Sequence, residues 1–437
     1  MSEAAETISE PLGLMVYRAA SRVMGPVAEF ALRQRLREGK EDPARINERR
    51  GMPSRERPEG PLVWIHGASV GESLSVLPLV SRLRKLRPDL NFLVTTGTTT
   101  SARLMAERLP EGAFHQYIPL DHPRYVSAFL DHWRPQAALF VESEFWPNLI
   151  LSARERVDFM ALVNGRVSPK SFEEWSRKPQ TIRYVLSAFD VLFAQDRQNA
   201  ERLTSLSGRE VLCFGNLKNA APALPAAEAA MEELRRQTQG RPLWLAASTH
   251  PGEEETVFKA HLALKAAFPS LLTILAPRHP ERGQEVRAFG ETFGLKMTLR
   301  SAKQPIEADT DIYVADTLGE LGLFYRLSDI SFVGGSLTPK GGHNPLEPAR
   351  LGGAILHGPY TFNFVETYGD MRAPGGAALV RNDRELATAI RRLLSDEKTR
   401  LTMTGAAQRA AEASAERVLN EIANVIIERF GDNARAA

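Results

Sequence analysis

A chain of 437 residues has room for about two to three domains, and its apolar fraction of 43% is sufficient for their cores. A net charge of only +2 argues against a nucleic-acid-binding protein. Cys213 is the only cysteine, which excludes an intramolecular disulfide and a zinc site built on several thiolates.

The beginning of the chain is basic and amphipathic. Residues 12–57 hold eleven Lys or Arg and six Asp or Glu, a balance of +5, so the remainder of the chain is near −3. Apolar residues recur there at helical spacing: Leu12, Met15, Val16, Ala19, Val23, Val27, Phe30 and Ala31. Pro26 is expected to kink this helix.

This segment is too polar to cross a bilayer, because no window approaches the roughly 20 uncharged apolar residues of a spanning helix. Acidic residues at Glu3, Glu6 and Glu10 argue against a cleavable signal peptide. We therefore favour a helix lying on an anionic membrane surface. The alternative is a helix packed on its own domain.

From Pro61 onward, short apolar runs alternate with amphipathic stretches, a pattern typical of parallel, doubly wound α/β sheets. The predicted strands of the first half are Val63–His66, Phe92–Thr95, Ala137–Val141, Phe159–Val163, Val191–Ala194 and Val211–Phe214. Those of the second half are Leu243–Ala247, Leu271–Leu275, Ile312–Val314, Ile330–Val333 and Ala354–Leu356.

Two tandem Rossmann-like domains facing a cleft follow from this pattern. The predicted boundaries are 1–58 for the N-terminal segment, 59–220 for the first domain, 221–240 for a linker and 241–437 for the second domain with its closing helix. Ligands of such sheets bind outside the carboxyl ends of the strands, so functional residues are expected directly after each strand.

The run from Val63 to Glu72 is the most informative stretch of the chain. A strand stops at a loop bracketed by Gly67 and Gly71, and Glu72 follows in the first turn of a helix. A ligand over this loop would meet amide donors and a carboxylate. The alternative is an S-x-x-E capping box of Ser69 and Glu72 without chemistry.

Three more loops of the first domain carry polar groups at the same predicted edge. Glu142 and Glu144 follow one strand, Arg166 follows the next, and Lys218 comes after the last. Helix capping can account for one of the two glutamates but hardly for both.

The second domain repeats this arrangement. Its first strand is followed by the stretch 248–255, and the next by Arg278, which is suited to bidentate pairing with a phosphate or carboxylate. Residues 316–321 set small residues at a helix N-terminus. The glycine-dense loop 334–347 is expected to approach a ligand with its backbone amides, and Asn344 and Glu347 to contact a ribose or base.

Several familiar motifs are missing from the sequence. There is no Walker A, G-x-G-x-x-G or G-x-S-x-G pattern. Asp309 and Asp311 form a D-x-D that precedes a strand, the wrong edge for a metal–diphosphate site. His250, His279 and His343 are too dispersed for a metal motif, and two of them precede a proline, which favours loop-positioning roles.

Eight motifs, in chain order, closely resemble those of the Kdo (3-deoxy-D-manno-octulosonic acid) transferases of lipopolysaccharide synthesis. They lie between about residues 61 and 364: G-A-S-V-G-E, E-S-E-F-W-P-N, N-G-R-V-S, G-N-L-K, S-T-H-P-G-E-E, P-R-H-P-E-R, D-T-L-G-E-L and G-G-S with G-G-H-N-P-L-E-P. Members often have Ala where this chain has Gly165, and Phe-Asp where Asn219 and Ala220 follow Lys218.

The resemblance implies a GT-B fold and an inverting, metal-independent transfer of Kdo from CMP-Kdo to the lipid A precursor lipid IVA, without a cofactor. It implies work at the cytoplasmic face of the inner membrane, on an anionic lipid surface, with no nucleic-acid partner. By motif, Glu72 corresponds to the general base, and Glu142 and Lys218 to transition-state stabilisers. The implied CMP contacts are Pro277, Arg278, Leu318, Gly319, Glu320, Asn344, Pro345, Leu346 and Glu347.

Two other functions are compatible with the same architecture. One is a UDP-sugar 2-epimerase, which needs no membrane helix. The other is a peripheral membrane protein that binds a CMP-sugar without turnover, although a pure sensor has no use for a base such as Glu72.

Overall fold

The computed structural model describes residues 9–436, and side chains as far as residue 431. Glu3 and Glu6, which entered the signal-peptide prediction, lie outside the described residues. The helices are α1 (Leu12–Val23), α2 (Gly25–Arg37), α3 (Val70–Leu86), α4 (Thr99–Arg108), α5 (Pro123–Trp133), α6 (Pro147–Arg154), α7 (Pro169–Ser176), α8 (Pro179–Ser187), α9 (Arg197–Ser207), α10 (Glu228–Thr238), α11 (Glu253–Lys265), α12 (Gly283–Glu291), α13 (Leu321–Leu327), α14 (Leu346–Arg350), α15 (Val365–Arg372), α16 (Asp383–Ser395) and α17 (Glu397–Ala436).

The strands form two sheets. They are β1 (Leu62–His66), β2 (Asn91–Thr96), β3 (Ala113–Tyr117), β4 (Ala137–Val141), β5 (Phe159–Gly165), β6 (Val191–Ala194), β7 (Leu243–Thr249), β8 (Leu272–Pro277), β9 (Met297–Leu299), β10 (Ile312–Val314), β11 (Ile330–Val333), β12 (Ala354–His357) and β13 (Ala377–Leu379). None of the helices within residues 9–436 has the length and hydropathy needed to cross a membrane.

The chain divides into two compact units. The first unit runs to Ala221 and takes up the chain again from Ala415, and the second is Pro222–Ser414. This differs from the predicted boundaries, which placed the whole closing helix in the second domain. The reason is that the last turns of α17 bury Val418, Ile422 and Ile426 in the core of the first unit.

The first unit contains a parallel sheet of order β3-β2-β1-β4-β5-β6. Its inner strands β1, β4 and β5 are buried along their whole length, as expected of parallel strands covered on both faces. Alternate side chains of one strand enter different cores: Trp64 packs with Phe140 on one face, and Ile65 with Val141 on the other.

The second unit contains a parallel sheet of order β13-β12-β11-β7-β8-β10-β9. Its interior again lies on both faces of the sheet, with Trp244 and Phe258 in one core and Tyr313 and Phe324 in another. The segment predicted as a linker contains helix α10, whose Met231 and Leu234 are buried in this unit.

One predicted strand is wrong. Residues 211–214 form a single bridge between Leu212 and Phe193 rather than a strand. The reason is that the segment lies beside β6 at the edge of the sheet, and the chain leaves that edge at Gly215, where φ is +115°.

The N-terminal segment forms two helices, α1 and α2, which separate at Met24 with Pro26 in the first turn of α2. Leu14 and Leu32 anchor them, each only 1% exposed. The apolar residues of the predicted stripe point away from the core, since Leu12, Val23 and Phe30 are 76%, 75% and 68% exposed. The stripe therefore does not pack on its own domain.

Candidate functional site

The strand orders place a switch point in each unit. In the first unit β2 and β3 extend to one side of β1, while β4, β5 and β6 extend to the other. In the second unit the corresponding pair is β7 and β11. Ligands of doubly wound sheets bind where the strand order reverses, which directs attention to the loops after β1, β4, β7 and β11.

Glu72 lies at the switch point of the first unit, in the first turn of α3. Its Oε2 accepts a hydrogen bond from the Ala68 amide at 2.9 Å, and its Oε1 accepts one from Ser69 Oγ at 2.6 Å. The Glu72 amide donates back to Ser69 Oγ at 3.3 Å. The predicted capping interaction is therefore present, and it also fixes the direction of a carboxylate that remains partly exposed.

Glu142 follows β4 and forms an ion pair with Lys218. The carboxylate is 8% exposed, and its Oε1 accepts from Lys218 Nζ at 2.6 Å. Glu142 adopts a left-handed backbone conformation with φ of +59°, which costs free energy for a residue with a side chain and is typical of functional positions.

The loop that carries Lys218 is held by two asparagines. Asn164 Oδ1 accepts from the Leu217 amide and Asn216 Oδ1 accepts from the Lys218 amide, both at 2.9 Å. Asn164 itself has φ of +56°, a conformation that asparagine tolerates better than most residues. The N-G-R motif after β5 thus positions the ammonium group, while Arg166 is exposed to solvent.

Glu144 completes a group of three carboxylates. Burial raises its pKa, and the nearby charges of Glu72 and Glu142 raise the pKa further. Trp146 Nε1 donates to Glu144 Oε2 at 2.7 Å. The structure thus brings Glu72, Glu142, Glu144 and Lys218 together at one switch point, as the sequence predicts.

Two histidines meet at the switch point of the second unit. His250 follows β7, His343 lies in the loop after β11, and their Nε2 atoms are 2.9 Å apart. The two rings must share one proton between these nitrogens. Burial, together with the charges of the neighbouring His250 and Arg278, lowers the pKa of His343 to about 4. The sequence analysis missed this pair, although each histidine belongs to a loop that follows a strand.

Three of the predicted CMP contacts lie beside this pair. Burial raises the pKa of Glu347, whereas a hydrogen bond from Asn344 and the charge of Arg278 lower it. Arg278 directly follows β8, its amide donates to Thr249 O at 2.9 Å, and its side chain is exposed. Pro345 and Leu346 are buried at the start of α14, so their side chains shape the loop.

The glycine-rich loop after β11 does not offer all of its amides to a ligand. The amides of Gly335, Ser336 and Leu337 donate to the carboxylate of Glu253 at 2.7–2.9 Å, and so does the His250 amide. Glu253 is fully buried. The expected role of these amides is corrected accordingly: they fix the loop against α11.

Three further predicted contacts, Leu318, Gly319 and Glu320, lie in the loop after β10, the strand next to β8. The predicted contact Pro277 is the last residue of β8 and is buried. Glu320 is engaged within its own unit, since Arg300 donates to both of its oxygens at 2.7 and 3.1 Å and Thr317 Oγ1 donates to Oε2. Gly319 has φ of +80°, and Leu318 is 84% exposed. An exposed leucine at this edge provides an apolar contact for a flat ring.

Asp309 and Asp311 precede β10 and lie at the opposite edge from these loops. Lys265 Nζ donates to Asp311 Oδ1, and Lys296 Nζ to Asp309 Oδ2, both at 2.5 Å. Both carboxylates are therefore paired with lysines. Their position agrees with the prediction that they lie at the edge of the sheet opposite to the ligand-binding loops.

The first unit therefore offers an oriented carboxylate beside a partly buried ion pair, which suits removal of a proton from a hydroxyl. The second unit offers an exposed guanidinium beside an imidazole pair and a buried carboxyl, which suits a phosphate attached to a polar ring.

Comparisons with known proteins agree with the motifs. Residues 44–221 match the model of the family described as 3-Deoxy-D-manno-octulosonic-acid transferase (kdotransferase). A 3-deoxy-D-manno-octulosonic acid transferase of Rickettsia bellii is 32% identical over 388 residues, which cover 89% of this chain and 92% of the relative.

Solved structures with low sequence identity share the fold. A glycosyltransferase from Rickettsia africae is 11% identical with a TM-score of 0.58, covering 85% of this chain and 99% of its own. UDP-GlcNAc 2-epimerase from Neisseria meningitidis is 14% identical with a TM-score of 0.52, at the same two coverages. These likenesses concern the fold alone, and the prediction of a GT-B fold is confirmed.

Proposed function

Because the chain belongs to the 3-deoxy-D-manno-octulosonic acid transferases, the glycosyltransferases that transfer Kdo in lipopolysaccharide synthesis, we propose that its donor is CMP-Kdo and its acceptor the tetraacylated lipid A precursor, lipid IVA. Membership of this family decides against the epimerase and against a sensor without turnover.

The observation that carries the proposal is the grouping of Glu72, Glu142 and Lys218 at one switch point. Glu72 acts as the general base and takes the proton of the acceptor hydroxyl, whose oxygen bonds to C2 of Kdo as the bond from C2 to the phosphate oxygen breaks. Direct displacement of this kind inverts the configuration at C2. Lys218, held by Glu142, stabilises the negative charge that develops on the leaving phosphate.

The second unit binds the donor in this proposal. Arg278 pairs with the phosphate of CMP, since its guanidinium is exposed and has two parallel N–H donors. Asn344 and Glu347 hydrogen-bond the nucleoside, while Pro277 and the loop from Leu318 to Glu320 contact the cytosine ring. Pro345 and Leu346 shape the loop that carries Asn344 and Glu347.

No metal ion or cofactor is required in this scheme. A monophosphate leaving group is stabilised by Arg278, Lys218 and helix N-termini. The D-x-D acids are engaged by lysines at the opposite edge of the sheet.

The protein works at the cytoplasmic face of the inner membrane in this proposal, because its acceptor is a lipid. Support comes from the exposed apolar residues of α1 and α2 and from the positive charge of residues 12–57, since anionic lipid attracts such a segment.

The test is Kdo transfer from CMP-Kdo to lipid IVA by wild type and Glu72→Ala, with CMP-Kdo generated in the assay by its synthetase. Wild type forms product, and the variant loses activity by on the order of a hundredfold. The control is Glu107→Ala, an exposed glutamate on α4 of the same unit, which keeps the wild-type rate.

Other outcomes contradict the proposal at separate points. If Glu72→Ala is nearly as active as wild type, Glu72 is only a helix cap and the general base is Glu142 or Glu144. If wild type binds CMP but forms no product, the proposed pair of donor and acceptor is wrong. Loss of activity in EDTA that Mg²⁺ restores refutes the metal-free scheme.

A further inference from the structure

A cavity of about 320 Å³ lies inside the first unit, between the two N-terminal helices and the loop that follows β3. Small side chains create the space, since Ala20, Ala28 and Ala31 face it together with Leu32 and Leu120. We call it the acyl cavity. Apolar walls of this kind favour an apolar occupant, because water gains few hydrogen bonds there.

One polar atom in the wall has no partner among the described residues. His122 is 6% exposed, and its Nε2 makes no hydrogen bond. The Arg124 amide donates to His122 Nδ1 at 3.3 Å. Because Nδ1 accepts, the ring proton lies on Nε2, which is therefore a buried and unused donor. The other polar side chains that line the cavity, Tyr17, Ser21, Arg35 and Asp121, all have hydrogen-bond partners. The unused donor therefore calls for a ligand that brings an acceptor of its own.

A fatty acyl chain meets both requirements. Its methylene groups match the alanine and leucine walls, and the carbonyl oxygen of its ester or amide accepts one hydrogen bond. Gly25 leaves room for such a carbonyl, since a Cβ there would lie 3.3 Å from His122 Nε2.

Direct hydrogen bonds connect the cavity wall to α6, the helix that follows the loop of Glu142 and Glu144. Asp121, in the cavity wall, accepts from Tyr17 of α1 at 2.8 Å and from the Leu149 amide at 2.7 Å. Asn148 Nδ2 donates to Ser21 Oγ of the same wall at 3.0 Å. Asn148 lies in the first turn of α6, four residues after Glu144, so α6 joins the cavity wall to the loop of Glu142 and Glu144.

We propose that the acyl cavity binds one fatty acyl chain of the lipid acceptor, with His122 Nε2 donating to its carbonyl oxygen. This inference rests on the proposed function for the identity of the acceptor. The cavity then holds the acceptor by a group remote from the reacting hydroxyl and lowers KM rather than raising kcat.

The test fills the cavity with a phenylalanine ring and compares KM for an acylated and a deacylated acceptor. Ala28→Phe occupies the space, Ala31→Phe does so from the exposed rim, and the control Ala19→Phe adds the same ring to α1 outside the cavity lining. KM for lipid IVA in detergent rises about tenfold in both cavity variants, the effect of losing about two buried methylene groups. KM for fully deacylated acceptor and for CMP-Kdo stays at the wild-type value.

A binding measurement keeps the test independent of transfer. Wild type and Ala19→Phe bind dodecanoate in calorimetry, whereas Ala28→Phe and Ala31→Phe bind it at least about tenfold more weakly. Equal dodecanoate affinity in all four proteins overturns the inference. The inference is also overturned if the cavity variants raise KM for the deacylated acceptor as much as KM for lipid IVA. Such a result indicates an effect through the loop of Glu142 and Glu144.

The inference is also overturned if the two cavity variants bind vesicles more weakly than wild type but keep its KM for lipid IVA. The occupant of the cavity is then a phospholipid of the membrane. Absence of transfer by wild type with either acceptor refutes the proposed function instead. In that case the dodecanoate measurement alone still decides whether the cavity takes an acyl chain.

Discussion

At the scale of single residues, the ion pair of Glu142 and Lys218 combines a structural and a chemical role. A carboxylate that is only 8% exposed is destabilised without a partner, because burial removes its hydration. Lys218 supplies that partner at 2.6 Å and is itself 41% exposed at the side chain, so its charge is also available to a ligand. The two roles predict different responses to substitution.

Lys218→Met is expected to lower kcat by on the order of a hundredfold, since it removes a cation from the developing phosphate charge. It also lowers the free energy of unfolding of the first unit by about 2 kcal/mol, less than for a fully buried pair because lysine is partly exposed. Adding Glu142→Gln restores stability but not activity. Steady-state kinetics and urea unfolding measure the two effects.

The matched control for this prediction is the Lys259–Glu255 pair of α11. Its N–O distance is 2.7 Å and both side chains are about half exposed. Lys259→Met is expected to leave both the stability and the transfer rate unaltered, because solvent screens an exposed pair. Activity of the Lys218→Met/Glu142→Gln protein comparable to wild type would remove Lys218 from the mechanism.

The histidine pair predicts a dependence of stability on pH. The folded pKa of His343 is about 4, below the ordinary value of about 6.5, so the unfolded chain binds more protons between these values. The contribution of His343 to the stability of the second unit is therefore complete above about pH 6.5 and is lost as pH falls toward 4. Burial lowers the pKa of His250 as well, and its neighbours His279, Lys340, Arg278 and Arg282 act in the same direction.

Replacing one partner isolates this contribution. His343→Gln keeps a donor for His250 but cannot titrate, so the slope of stability against pH decreases by up to about 1.4 kcal/mol per pH unit. Urea unfolding between about pH 7 and pH 5 measures the slope. The control is His132→Gln, a histidine of the first unit, and an unchanged slope in His343→Gln would contradict the burial argument.

At the scale of elements, continuous apolar strands were predictable, whereas three of the four edge strands were not. β4, β6, β10 and β11 have the predicted bounds, because parallel strands covered on both faces are continuous apolar runs. β3, β9 and β13 were missed, and all three lie at sheet edges. β3 contains His115 and Gln116, so no apolar run marks it.

The candidate site shows the same division between local and distant interactions. Glu72 and Glu142 could be predicted because each follows a strand, and parallel strands end at one edge. Lys218 follows residues 211–214, which lie beside β6 through a single bridge rather than as a strand. The His250–His343 contact joins residues 93 positions apart, and the hydrogen bonds to Glu253 come from a loop more than 80 residues later. Such contacts depend on the arrangement of loops, which hydrophobic periodicity does not specify.

The exposed apolar residues of α1 and α2 predict a surface for lipid. Val23→Ser combined with Phe30→Ser is expected to reduce partitioning into anionic vesicles at least about tenfold, since each removes apolar area from the interface. Vesicle sedimentation measures it, and added salt weakens binding of wild type further. The control is Leu401→Ser on α17, 60% exposed. Sedimentation of the double variant equal to wild type would exclude these helices as the lipid contact.

At the scale of the whole molecule, the path of the chain makes the first unit discontinuous. The boundary between the units falls within α17, so residues before Ala415 pack in the second unit and residues after it in the first. Ala407 and Ala411 are buried in the second unit, while Ile422 and Ile426 enter the core of the first. The core of the first unit therefore depends on residues 418–430 of α17.

Shortening two core side chains of this helix tests that dependence. Ile422→Ala and Ile426→Ala are each expected to lower the stability of the first unit by about 2–5 kcal/mol, because each leaves a cavity in a core where the side chains are 1–2% exposed. Leu401→Ala, on the same helix but exposed, is the control for helix propensity. Hydrogen exchange of the full chain locates the loss of stability. The expected result is faster exchange in β1, β4 and β5 and unchanged exchange in β7 and β8. Equal acceleration in both sheets would show that α17 stabilises the two units as one.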